Sequence, residues 1–169
     1  MSPHTGQTIK EEIEARELRR AAFHEAAHLI VLSAFGGFGK ARVWPNTSGA
    51  IDETAWRGQT QIWAWPGQIP ITSEVITELN VVTPLPERWR VQFGLAGMVA
   101  EYMDEGDSDA ESIFSRLHDV FEYEVSETDA TSMGNDWGIA DIASTVTLLK
   151  SRWEAVETIA QDLMNSAAE

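Results

Sequence analysis

Apolar positions along the chain follow helical spacing almost everywhere, with one short β-like interruption. "KEEIEARELRR" (residues 10–20) is charged nearly all round a helical wheel and predicts a solvated helix. It runs without a break into "AAFHEAAHLIVLSAF" (21–35), apolar nearly all round, which predicts burial. One long helix is therefore expected. It opens where Thr8 and Glu11 have capping-box spacing, reaches Phe35 and stops at Gly36-Gly37.

"ARVW" (41–44) and "QTQIWAW" (59–65) have the composition and partial alternation of strands, with turn chemistry in "PNTSGAIDETAWRG" between them. Pro66 to Pro86 holds four prolines and no period, which predicts an irregular surface loop, with "SEVITELN" (73–80) as a short helix. Helical spacing returns in "PERWRVQFGLAGMVAEYM" (86–103), with Pro86 near its start. Another helix is expected after "GDSDAE", where Ser108 and Glu111 again have capping-box spacing. "SETDATSMGND" (126–136) reads as a helix opening or turn. The last helices are expected at about Trp137–Lys150 and Trp153–Met164. The expected fold class is α+β, mostly helical, one domain over 1–169 with a small sheet beside the first helix.

Composition narrows the classes of function. Apolar residues make up 43% of 169, enough for a packed core. No apolar run is long enough for a membrane span and no secretory h-region opens the chain, so a cytoplasmic location is expected. There are no cysteines, which excludes disulfides and thiolate metal sites. The net charge of −15 argues against binding a nucleic-acid backbone and serves solubility first. Seven tryptophans are unusual. Trp63 and Trp65, two apart, are expected on one strand face, in the core or lining a groove, and Trp153 in the core. The acidic run "DEGDSDAES" is expected to be a solvated loop.

One apolar segment carries polar chemistry. His24, Glu25 and His28 form "HEAAH" in the buried half of the first helix, where three such side chains are costly unless satisfied. Positions i and i+4 share a helical face, so the two imidazoles can converge on one metal ion, most naturally zinc. Glu25 can then take a proton from water activated by the metal. A third ligand must come from elsewhere, since position 34 is Ala and the extended "HExxHxxGxxH" pattern is absent. His118 lies mid-helix, and Glu101 in "MVAEYM" would suit a gluzincin-like arrangement. Asp109, Asp129 and Asp136 stand at predicted helix starts, where an aspartate commonly caps.

"AAFHEAAHLIV", followed by "KARVWPN" and later "GLAGMVAEYM", resembles the peptidase domain of FtsH-type zinc metallopeptidases, over roughly Ala21 to the end of the chain. That family pairs an "HEAGH" helix with a strand ending in proline, a "GGRxAEE" helix and an aspartate in a "GASND"-like turn. The resemblance implies a zincin-like helical domain with Zn2+ as cofactor, His24 and His28 as ligands and Glu25 as catalytic base. It implies that "ARVW" flanks an extended peptide by strand addition. It also implies that Gly94, Gly97 and Ala100 let their helix pack close to the zinc helix. For the third ligand it favours Asp129, since "SETD" gives Ser126 as cap and Asp129 in the first turn, with Asp136 in "MGND" as alternative and Asp109 third. Ala27 replaces a family glycine. No P-loop occurs and about 28 residues separate "AE" from the aspartate turn, which implies an ATP-independent peptidase with an inserted helix at about 109–124.

The expected activity is thus peptide-bond hydrolysis on peptides or unfolded proteins, with no nucleic-acid or membrane partner. Two rivals stand beside it: a zinc-stabilised binding module that cuts nothing, and an acidic decoy that mimics nucleic acid.

Overall fold

The computed structural model describes residues 3–47 and 55–167, and of residues 3–7 the backbone alone. The chain begins with α1 (Pro3–Ala34), 32 residues or about 48 Å of helix. It starts five residues before Thr8, with Pro3 in the first turn, where the missing N–H has no partner to lose. Thr8 is therefore inside the helix and not its cap. The C-terminal end follows the glycine signal: Gly36 takes φ +86°, Gly37 N–H bonds to Leu32 O at 2.9 Å, and Gly36 N–H to Ser33 O at 3.0 Å. These are the paired bonds of a Schellman end. The two halves of α1 differ as the sequence demands. Residues 8–13 are exposed, whereas Ala22, Ala26, Ala27, Val31 and Leu32 are wholly buried.

β1 (Phe38–Pro45) and β2 (Trp56–Ala64) form a two-stranded antiparallel sheet that packs on α1. Both strands start three residues earlier than the sequence suggests. Of the turn expected over 45–58, Pro45 and Trp56 to Gly58 belong to the strands, and residues 48–54 lie outside the described residues. α2 (Ser73–Leu79) is the short helix expected in the proline-rich stretch, capped by Thr72, and it buries none of its residues.

α3 (Trp89–Asp104) is the central element, with every residue from Val91 to Tyr102 buried. α1 packs against it, as do α5 (Glu127–Met133) and α6 (Ile139–Ser151), while α7 (Trp153–Ala167) closes the far side of α1. α4 (Ala110–Glu124) occupies the place expected for the inserted helix. Its cap is Asp109, which accepts from Glu111 N–H at 2.9 Å, and not Ser108. Aspartate caps as well as serine and stands one residue nearer the first turn. The acidic loop before it is more ordered than a merely solvated run, since Asp107 accepts from the Ser112 hydroxyl at 2.6 Å and from Arg116 at 3.2 Å.

Trp153 joins the core at 5.6 Å from Phe23, as expected. Trp63 and Trp65 do not share a face. β2 ends at Ala64, so Trp65 leaves the strand and tucks between Trp89 and Phe93, while Trp63 stays outward and 64% exposed. The architecture is seven helices and one small antiparallel sheet among the described residues, and no helix among them is long and apolar enough to cross a membrane.

Candidate metal centre

Three side chains meet at the junction of α1, α3 and α5. His24 and His28 point the same way from α1, as their spacing requires. Asp129 arrives from the first turn of α5, a position set by Ser126, whose hydroxyl accepts from Asp129 N–H at 3.1 Å. Asp129 Oδ2 lies 3.1 Å from His24 Nε2 and 3.2 Å from His28 Nε2, and the two Nε2 atoms are 3.2 Å apart. Ligand atoms sharing a tetrahedral ion at about 2.0–2.1 Å are separated by roughly 3.3 Å. The triangle has the size of a zinc site.

The protons are placed by the opposite ring atoms. His28 Nδ1 lies 2.8 Å from Phe93 O, which can only accept, so Nδ1 carries the hydrogen. His24 Nδ1 lies 2.8 Å from Glu101 Oε2, which fixes its ring in the same sense. Both Nε2 atoms therefore turn toward Asp129. Two ring nitrogens and a carboxylate so close need positive charge among them, from a proton or a metal ion.

The electrostatics agree. Burial pulls the His24 pKa down, yet hydrogen bonds to Asp129 and Glu101 and the charges of Glu101 and Glu25 outweigh it and hold it well above the ordinary value. Burial pushes Asp129 up, yet His28 and His24 together hold its carboxyl well below the usual carboxylate range. Two imidazoles ringed by Asp129, Glu101 and Glu25 make a cation-seeking pocket of hard and borderline donors, which suits zinc.

The other candidates sit elsewhere. Glu101 stands behind His24 and is itself held by Arg20 Nε at 3.0 Å, so it supports a ligand and does not face the triangle. Asp136 is exposed and lies 3.3 Å from Arg88. Asp109 is spent on the α4 cap. His118 is exposed beside Phe114.

Glu25 is buried under the hairpin. Thr60 Oγ1 donates to its Oε2 at 2.6 Å, and a Cβ on Gly58 would lie 2.6 Å from its Cγ. The strand against Glu25 is thus β2. Sequence reading missed Thr60 and Gly58. Their only signal is small size at alternate strand positions. Of the small residues of α3 expected to approach the first helix, Gly97 does so, since a methyl there would drive into the His24 imidazole, whereas Gly94 lies against α5, where a methyl would lie 2.9 Å from Asp129 O.

A cleft of about 790 Å³ opens on His24 and Glu25, walled by the hairpin, α1, Met98 of α3 and Tyr123 at the end of α4. A comparison of the chain with protein-family models finds no match, and no curated protein matches its sequence.

Proposed function

We propose that this protein is a zinc-dependent peptidase that cleaves extended or unfolded chains without ATP. The observation that carries the reading is the triangle of His24 Nε2, His28 Nε2 and Asp129 Oδ2, 3.1–3.2 Å on each side, one member of which, His24, lines an open cleft together with Glu25. The zincin-like description and the FtsH-type resemblance rest on the same residues.

A bound divalent ion would supply Lewis acidity, lowering the pKa of water and polarising a peptide carbonyl. His24, His28 and Asp129 would hold it. Glu101 and Phe93 O fix the two imidazole rings, and Arg20 in turn fixes Glu101. Glu25 takes a proton from the attacking water as the new C–O bond forms. It returns that proton to the amine nitrogen as the C–N bond breaks. Thr60 orients the Glu25 carboxylate from behind. The hairpin offers an edge along which an extended peptide can lie, and β2 brings that edge to Glu25.

The test is Glu25→Gln in zinc-loaded protein, with unfolded casein as substrate. Wild type is expected to cut. The variant is expected to keep its zinc and lose about 10²–10⁴-fold in rate. Undiminished cleavage by the variant would remove Glu25 as base. Zinc-dependent stability with no cleavage by wild type would replace the peptidase with a binding module.

A further inference from the structure

The two strands of the hairpin differ from the rest of the chain in charge. The protein has 27 acidic and 12 basic side chains. Yet β1, "FGKARVWP", and β2, "WRGQTQIWA", hold no acidic residue and three cations, Lys40, Arg42 and Arg57. Alternation and register gather all three on one face. Lys40 stands opposite Gln61, Arg42 opposite Gln59, and Trp44 opposite Arg57. The other face carries Ala41, which is buried, and Thr60, which holds Glu25.

Four residues of the cationic face, Arg42, Trp44, Arg57 and Gln59, wall the cleft of the candidate metal centre. The Arg42 guanidinium lies over the Trp44 ring at 4.6 Å, and its Nη2 donates to Gln59 Oε1 at 3.1 Å. Both partners are neutral. Among the described residues no carboxylate balances Arg42, which keeps further N–H donors for a ligand. The carboxylates that share the cleft have partners other than Arg42: Glu17 accepts from Ala55 N–H, Glu25 from Thr60 and Glu101 from Arg20, while Glu124 lies 3.8 Å from Arg20, so Arg20 offsets the last two and the first two keep their charge. What the hairpin wall presents to a ligand is therefore a flat cation braced on an indole.

We propose that this wall makes the cleft selective for acidic peptide segments, with Arg42 receiving a glutamate or aspartate side chain near the bond offered to the metal centre. The proposal rests on the peptidase reading only for what happens to the peptide. Its binding preference is measured separately. It also runs against the overall charge of −15, which by itself favours basic ligands.

The test uses the full chain loaded with zinc, as Glu25→Gln to prevent cleavage, and two fluorescein-labelled decapeptides. They are identical and neutral except for two glutamates in one and two lysines in the other. Fluorescence anisotropy should show the glutamate peptide binding about tenfold more tightly, with the preference weakening at high salt. Arg42→Glu should abolish the preference, and Arg42→Lys should retain part of it. Lys150→Glu makes the same charge change on an exposed position of α6 and should leave it unchanged. Tighter binding of the lysine peptide, equal effects of Arg42→Glu and Lys150→Glu, or no binding of either peptide would overturn the proposal. Stronger competition by a ten-residue oligothymidylate than by the glutamate peptide would overturn it in favour of a nucleic-acid surface. Acid-selective binding with no cleavage by the wild type removes the peptidase reading and leaves this one. Cleavage with no charge preference does the reverse.

Discussion

Asp129 and Asp136 stand seven residues apart in one segment, each near a helix start and each a plausible ligand by its local sequence. The fold gives them opposite neighbours. Asp129 is buried and meets two imidazoles. Asp136 is exposed and meets Arg88, which is already held by Asp141 through bonds of 2.6 and 2.9 Å. The difference lies in what packs opposite. α5 turns its first residues toward α1 across α3, while the segment after it turns toward the start of α3. A local motif can offer an aspartate, and only the partner helix decides its use.

The comparison can be tested by removing each carboxylate. Asp129→Ala should abolish stoichiometric zinc, weakening affinity by more than about 100-fold, whereas Asp136→Ala should retain it and change stability by less than about 0.5 kcal/mol. Elemental analysis of both purified variants decides it, and zinc lost from the second would reverse the assignment.

Next in size is the packing that lets the buried centre form. Gly97→Ala puts a methyl into the His24 ring and should cost about 1–3 kcal/mol, with weaker zinc binding. Thermal unfolding with and without zinc reads both. A variant as stable and as well loaded as wild type would show that α3 can shift away without penalty.

The smallest effect belongs to Asp141, the buried carboxylate that shares Arg88 with Asp136. Hydrogen bonds from Arg88 hold the Asp141 carboxyl below the usual range, against a smaller opposing effect of burial. A folded-state pKa that is depressed stabilises fully above the ordinary aspartate value of about 3.9 and is lost as pH falls toward the folded value. Asp141→Asn should therefore lower Tm by a few degrees at pH 7, with the gap to wild type closing below about pH 4. A gap that persists at pH 3 would place the effect in packing and not in the charge.

Much of the site is legible because helical geometry is local. His24 and His28 share a face by spacing alone, Ser126 caps α5 as its sequence suggests, and Gly94 and Gly97 mark where α3 must come close. The misreadings fall where the decision is longer in range. Trp65 leaves the plane of β2 because Trp89 and Phe93 offer it a pocket, which no alternation pattern can show. Glu101 looks like a ligand in sequence but reaches His24 from the Nδ1 side, because Arg20 and the register of α3 against α1 hold it there.

The sequence by itself determined the two-phase first helix, its glycine stop, the mostly helical class and the pairing of two histidines with a glutamate. Each depends on the spacing of neighbours along one element, which the 3.6-residue period or a capping geometry sets. The tertiary structure alone decided that Asp129 meets the histidines, that Glu101 and Phe93 O orient their rings, and that β2 covers Glu25. Those contacts join residues 35 to 105 positions apart, and only the packing of α3 between α1, α5 and α6, with β2 laid on α1, brings them together.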